Sequence, residues 1–508
     1  MSERANLERE AKLSAWPGFV LPDLNDALPG LTIGEPSVHA LDAVYHDAPD
    51  VRLGRAGVTL RHRSGEGGRS GRWTLKVPAD PDTDDALMRR HELSRDAPAG
   101  TAPTALTRPV RALLRGAELT PLARLRTSRR TVALVVGDRT VGEVSDDEVA
   151  VLDGRKVSAR FREIEIELAA DAPVEVLDAV VARLRAAGAA DPQSGSKLAR
   201  AVGPRAYIPP DPLIPVVEPT SRTDVAVQAA LASDVRRLMA FVPLVFVAPD
   251  VEVIHQARVA TRRLRSHLRT FSPVLQASRR NSLADELRWL GEAFGAVRDL
   301  DVFLARLAAH EPELHEDDLG VLRAMSSRLR DGREPVLARL RKALAADRAA
   351  TLLDAAVAFA VEPPLAGDGA RPAARVLPEL ARPACDKLDR DARRLDDGSP
   401  VEALHALRIR AKRARYAAEA AEAVVPAARR QAKALAALQD VLGDLHDTSI
   451  TEARLRAAVA SGSPDEAFVA GLVVAAERHR ATVLRAAWQE PWRELRRRKV
   501  RAWLDVSD

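Results

Sequence analysis

Two hydrophobic rhythms divide the chain. Up to about residue 205, apolar and polar positions alternate in short runs such as Val58–Arg63, Trp73–Val77, Val132–Val136 and Phe161–Leu168, separated by Gly- and Asp-containing turns. Alternate side chains of a strand point to opposite faces, so a period of two predicts antiparallel strands. Gly65-Glu66-Gly67-Gly68 reads as a hairpin tip, and Val174–Gly188 as a helix. Tyr207-Ile208-Pro209-Pro210-Asp211-Pro212, continuing to Pro219, predicts an extended linker. Beyond it an Ala/Leu/Arg texture with helical periodicity runs to about Trp503, and Glu362-Pro363-Pro364 to Pro378 interrupts it. The pattern predicts an α+β multidomain chain: a β domain over residues 1–206, a linker over 207–220 and an all-α domain over 221–508.

The polar faces of the strands carry unusual charge. Glu8, Glu10 and Lys12 share one face; Arg61 and Arg63 lie opposite Val58 and Leu60; Lys76 lies opposite Leu75. Arg129 follows, Glu143 and Asp147 share parity, and Glu163, Glu165 and Glu167 oppose Ile164 and Ile166. So many charges would be costly in a dry core. They suit either a wet barrel interior or the solvated face of an open sheet. In a barrel, the carboxylates fit a hard divalent cation and the arginines and lysines fit phosphate oxygens.

The helical half is duplicated. His255-Gln256-Ala257-Arg258 leads into Arg262-Arg263-Leu264-Arg265, and 150 residues later His405-Ala406-Leu407-Arg408 leads into Lys412-Arg413-Ala414-Arg415. At about 100° per residue, His255, Arg258, Arg262, Arg265 and Arg269 fall within roughly 80° of arc, beside an apolar arc from Ile254 to Phe271. Leu290–Gly295 before Arg298-Asp299 repeats as Leu438–Gly443 before His446-Asp447. Two helical bundle units are predicted, over about 221–360 and 375–500. Like charges along one helix face repel, so a stripe built twice points to a polyanion. Asp299 and Asp447 suit either that site or the N-cap of a following helix.

Composition changes little of this. Net charge is +5, from 77 basic and 72 acidic residues, so the polyanion reading rests on where the charge sits. Arginine outnumbers lysine, which suits phosphate contacts and equally reflects a GC-rich genome. The single Cys385 excludes an intramolecular disulfide and a thiolate metal cluster. A start as charged as Met1–Lys12 argues against a signal peptide, and no long apolar run predicts a membrane span; the expected address is the cytoplasm. Aromatic content of 4% leaves little platform for base stacking, so nucleic acid is an unlikely partner. His310-Glu311-Pro312-Glu313-Leu314-His315 has the wrong spacing for a zinc-protease motif.

Glu8-x-Glu10-x-Lys12 resembles the ExExK signature of the CYTH family, the triphosphate tunnel metalloenzymes. Tyr45-His46-Asp47-Ala48-Pro49 resembles that family's Tyr-x-Asp-Thr-Pro segment, with His46 and Ala48 as mild departures. Leu60–Arg63, Thr74–Lys76, Glu163–Glu165 and Ser196-Lys197 follow in the family's order. The resemblance implies an eight-stranded antiparallel tunnel that hydrolyses triphosphate with Mg²⁺ or Mn²⁺. It assigns catalysis to Glu8, Glu10 and Lys12, and metal binding to Glu8, Glu10, Glu143, Asp147, Glu163 and Glu165. Triphosphate would fall to Lys12, Arg61, Arg63, Lys76, Arg129 and Lys197.

The helical half resembles the CHAD family, conserved-histidine α-helical domains similar to polyphosphate-binding modules. Polyphosphate binding would fall to His255, Arg258, Arg262, Arg265, Arg269 and Arg298, with His405, Arg408, Lys412 and Arg415. The order CYTH then CHAD is similar to bacterial inorganic triphosphatases, and polyphosphate granules become a candidate address. A polyphosphate tether without turnover, and an enzyme of thiamine triphosphate or ATP, are the alternatives.

Overall fold

The structure, a computed structural model, describes residues 6–65, 71–81, 88–191 and 196–505; the predicted hairpin tip at 66–68 lies outside them. The chain divides into two compact units, residues 1–211 with 239–253 and residues 212–238 with 254–508.

The first unit holds nine strands: β1 (Asn6–Ala15), β2 (Leu31–Ile33), β3 (Ser37–Asp47), β4 (Thr59–Ser64), β5 (Arg72–Pro78), β6 (Met88–Asp96), β7 (Thr120–Val136), β8 (Arg139–Asp153) and β9 (Lys156–Leu168). They pair in the order β2-β7-β3-β4-β5-β6-β1-β9-β8, and β8 pairs back onto β7. Every described pairing is antiparallel. Eight strands thus close a barrel and β2 stands outside it. Three more elements matter: α1 (Arg52–Arg55), α2 (Val174–Ala186) and α3 (Lys197–Val202).

This barrel packs its apolar side outward. Leu13, Val132, Val144, Ile164 and Ile166 join Val176, Leu177, Val180 and Leu184 of α2 in one buried cluster. Strand periodicity then turns the alternate residues, including Glu163 and Glu165, into the barrel. At one end the inward row becomes apolar, where Leu125, Val149 and Val151 meet Leu198 of α3. Asp47 is fully buried and accepts from the backbone N–H groups of Leu53 (2.9 Å) and Gly54 (2.8 Å), fixing the turn into α1.

The second unit is helical. It carries four helices that build a cleft: α4 (Val251–Thr270, whose first residues belong to the first unit), α5 (Ala277–Ala309), α6 (Val401–Ala421) and α7 (Ala428–Ala458). Ile254, Ala257, Thr261, Leu264 and Leu268 of α4, and Phe271 just after it, are all buried, as their shared arc predicts. The break between the repeats is shorter than the proline pattern suggests. Helix Asp347–Val361 ends before it, and helix Ala373–Ala392 contains both Pro378 and Pro383. Each proline removes one helical hydrogen bond, yet Val376, Leu377, Ala381, Cys385 and Leu388 are buried along that helix, and their packing holds it through the interruption.

Candidate functional site

A cavity of about 220 Å³ lies inside the barrel. Seven cationic side chains line it, from Lys12, Arg61, Arg63, Lys76, Arg90, Arg129 and Lys197, together with six carboxylates, from Glu8, Glu10, Glu92, Glu143, Glu165 and Glu167. Asp147 and Glu163 are fully buried against it. Lys197 Nζ is 2.8 Å from Asp147, 3.0 Å from Glu163 and 2.8 Å from Glu165. Arg129 donates through Nε to Asp147 at 2.7 Å and through Nη2 to Asp147 and Glu165 at 2.6 Å each. Lys12 bonds Glu165 and stands 3.4 Å from Glu10.

These neighbours decide the charge states. Burial alone would lower Lys12 and Lys197; Glu10 and Glu165 around the first, and Asp147, Glu163 and Glu165 around the second, raise both above an ordinary lysine. Burial would raise Asp147, but Lys197 and Arg129 hold it below the usual carboxylate range. Burial pushes Glu8 up to about 8, reinforced by a hydrogen bond to Glu92, while Lys76 opposes the shift from 2.5 Å away. Burial would raise Glu92 too, but its hydrogen bond with Glu8 and the charge of Lys76 hold it below the usual carboxylate range. Burial would also raise the Tyr45 phenol, but Arg61 and Lys197 reverse this and leave it lowered. Arg61 Nη1 donates to the Tyr45 hydroxyl at 3.2 Å, while Arg61 Nε is buried without a hydrogen-bond partner.

The second unit contains a cleft of about 860 Å³. His255, Arg258, Arg262, Arg265 and Arg269 of α4 line it, with Arg298 of α5 and with His405, Arg408 and Lys412 of α6. Arg415 lies outside that lining, where its Nε donates to Glu419 at 2.6 Å. Asp299 and Asp447 sit inside α5 and α7 and so cap no helix; both line the cleft, and Arg258 Nη1 donates to Asp299 at 3.0 Å. A Cβ at Gly443 would come within 3.3 Å of the Arg408 guanidinium, and one at Gly295 within 3.7 Å of Arg258. The duplicated glycines therefore seat the duplicated arginines against bare helix backbone.

Comparison with known proteins assigns both units. Residues 7–202 match the model of the CYTH domain and residues 229–456 that of the CHAD domain. The uncharacterized protein Rv2226 of Mycobacterium tuberculosis is 30% identical over 505 residues, covering 92% of each chain. The chain belongs to the CYTH–CHAD family. Among solved structures, the CHAD domain of the plant Ricinus communis is 25% identical, covering 57% of this chain and 96% of that one at a TM-score of 0.48. PptA of Streptomyces chartreusis is 21% identical, covering 54% of this chain and 100% of that one at a TM-score of 0.46. HpAC1 of Hippeastrum, described as a candidate adenylyl cyclase with a dominant triphosphatase activity, is 20% identical, covering 38% of this chain and 94% of that one at a TM-score of 0.25.

The CYTH domain places the chain among the triphosphate tunnel metalloenzymes, whose members typically depend on Mg²⁺ or Mn²⁺. Among the described residues, no three His, Cys, Asp or Glu side chains already converge as a metal site. The donor set nonetheless fits a divalent ion: Glu10 Oε1 is buried without a hydrogen-bond partner, and Glu8 and Glu92 face the same cavity. Of the six carboxylates read as ligands, Glu8, Glu10, Glu143 and Glu165 face the cavity. Asp147 and Glu163 stand behind it and hold Lys197, with Arg129 also on Asp147.

All six basic residues read for triphosphate face the same space. Tyr45, Arg90, Glu92 and Glu167 also line it, with Asn6, Thr59 and Ser196, and none of these seven is among the site residues that the sequence assigns. The Tyr45 segment itself was a visible signal. Among the described residues, no helix is long and apolar enough to cross a membrane.

Proposed function

We propose that the CYTH tunnel hydrolyses inorganic triphosphate with Mg²⁺ or Mn²⁺, and that the CHAD cleft binds inorganic polyphosphate. What carries the first reading is that the tunnel offers both halves of a metal–phosphate site, a buried Glu10 oxygen and a buried Arg61 N–H that are each unpartnered. Among the described residues, seven cationic side chains face eight carboxylates counting Asp147 and Glu163, so the cavity has little positive charge to spare for a polyanion alone. A divalent ion on Glu8, Glu10, Glu143 and Glu165 would supply that charge, polarise the phosphate oxygens and activate water. Arg61, Arg63, Lys76, Arg129 and Lys197 would hold the phosphate oxygens, and Lys12 would fix Glu10 and Glu165 in place. The Tyr45 hydroxyl, held by Arg61, is suited to pass a proton at the phosphate end. Among the described residues that line the tunnel Tyr45 is the one aromatic, which favours an inorganic chain over an organic triphosphate that would need a stacking surface.

Arg61→Ala is expected to lower kcat/KM for triphosphate by about 1.5–3 kcal/mol, the range for a hydrogen bond to a charged group. The loss should be much smaller for an uncharged phosphoester analogue. Equal losses on both would remove Arg61 from the phosphate clamp.

Long-chain polyphosphate carries charge at each unit and can meet both stripes of the cleft at once. Changing Arg258, Arg262, Arg408 and Lys412 together to Glu is expected to abolish its binding, because the helices persist while the field reverses sign. Binding by the folded quadruple variant would show the stripes to be structural charge. Competition at fixed salt separates polyphosphate from nucleic acid, since both bind through phosphate. A cleft of this kind would direct the chain to polyphosphate granules in the cytoplasm.

A further inference from the structure

Two of the differences between the repeats that build the cleft share a chemistry, beside the change of Arg269 to Glu419, which lies outside the lining. His255 and Arg258 of the first recur as His405 and Arg408 in the second, 150 residues on. At the same offset Arg262 becomes Lys412, and at the 148-residue offset of the Gly295/Gly443 segment Arg298 becomes His446. Both changes replace a guanidinium, charged at every relevant pH, with a group that can lose its proton.

The structure concentrates these groups. The His405 and His446 rings lie 3.8 Å apart between centroids, and His405 Nδ1 and Arg408 Nε are buried without hydrogen-bond partners. Lys412 feels Arg258 and Arg262 from α4 and Arg408 from its own helix, and Asp447 of α7 is the opposing charge. His446 feels His405, Arg408 and Lys412, with Asp299 of α5 opposing. Arg298 of α5 lines the same cleft.

We propose that this cleft takes up protons as it takes up a polyanion, because the α6–α7 half of the site sets Lys412 and His446, which complete their charge only when phosphate arrives, among the fixed charges of Arg408, Arg413 and Arg454. The proposal rests on the reading of the cleft as a polyphosphate site. In the free chain, burial and then the neighbouring arginines bring Lys412 down to about 7. Burial, His405, Arg408 and Lys412 bring His446 down to about 4. Phosphate oxygens nearby favour the protonated forms, so both values rise on binding. The complex then holds more protons than the free chain plus ligand, and affinity must fall as pH rises. For Lys412 the fall begins at its free value near 7 and continues to its higher bound value; His446 adds a fall at lower pH.

The experiment is isothermal titration of the full chain with long-chain inorganic polyphosphate, at fixed ionic strength, in buffers of different ionisation heat. At about pH 7.5 the heat should depend on the buffer with the sign of uptake, at about one proton per cleft, and Kd should weaken about tenfold between about pH 7 and 8.5. Lys412→Arg with His446→Arg, which restores the first repeat's residues, should remove the uptake and bind several-fold more tightly than the wild type at about pH 8.5. Binding by the wild type without buffer-dependent heat, or with proton release, overturns the inference and leaves the polyphosphate reading standing. Absence of wild-type binding at every pH overturns that reading and the inference with it. The wild-type buffer series decides between these outcomes even if the double variant does not fold.

Discussion

Glu8→Gln combined with Glu10→Gln is expected to leave the fold intact and to lower metal-dependent triphosphate turnover by about 4 kcal/mol, roughly a thousandfold. The structural cost is small for two reasons. Glu8 is pushed up to about 8 by burial and Glu92, so near neutrality it is already largely a neutral acid, which Gln imitates in shape and charge. Glu10 lies 3.4 Å from Lys12, but Lys12 keeps its bond to Glu165, so no cation is stranded. The functional cost is large because both oxygens that fit a divalent ion at the β1 face are lost together. Manganese binding followed by calorimetry should fall in parallel with turnover. Turnover near the wild-type level in a folded double variant would remove β1 from the metal site.

Lys197→Met is expected to destabilise the first unit by about 3–5 kcal/mol, the range for breaking a buried ion pair from one side. Lys197 holds Asp147, Glu163 and Glu165 within 3.0 Å. Without it Asp147 keeps Arg129, and Glu165 keeps Lys12 and Arg129. Glu163, fully buried, is left with Arg200 at 3.7 Å and Lys12 at 3.8 Å, and both are long contacts. Urea unfolding followed by circular dichroism gives the loss, and a saturating anion that occupies the wild-type tunnel should rescue little of it. A change below about 1 kcal/mol would mean that the cluster relaxes or that water reaches Glu163.

The tunnel was legible in the sequence wherever a strand keeps one face apolar. Ile164 and Ile166 against Glu163, Glu165 and Glu167 is such a case, and parity alone orients all five residues. The run Met88–Asp96 is polar on both faces, so parity cannot choose which of its residues turn inward. Its pairing with β1 and β5 decides this and turns Arg90 and Glu92 into the cavity. The same loss of contrast hides most of β7: only its end, the continuous apolar run Val132–Val136, stands out, although the strand runs from Thr120.

In the helical half the stripes emerged from spacing, because a helix fixes angular position locally. Of their partners across the cleft, Arg298 is named by the family resemblance and Asp299 and Asp447 stay open between site and cap, because which face of α7 meets α6 is set by packing. His446 and Arg454 were therefore outside the reading of the polyanion site, and both line the cleft. Asp147 and Glu163 show a further limit. Sequence parity turns a carboxylate inward but does not reveal whether it will meet the cavity or a lysine beneath it.

Metal-dependent hydrolysis of inorganic triphosphate in the tunnel is tested most directly by phosphate release from the full chain. Inorganic triphosphate, long-chain polyphosphate, ATP and thiamine triphosphate would each be supplied with Mn²⁺, with Mg²⁺ and with a chelator. The expected result is rapid release from inorganic triphosphate with either metal, at least about tenfold slower release from the organic triphosphates, and none with the chelator. Release from ATP or thiamine triphosphate faster than from inorganic triphosphate, or release that survives the chelator, would contradict it.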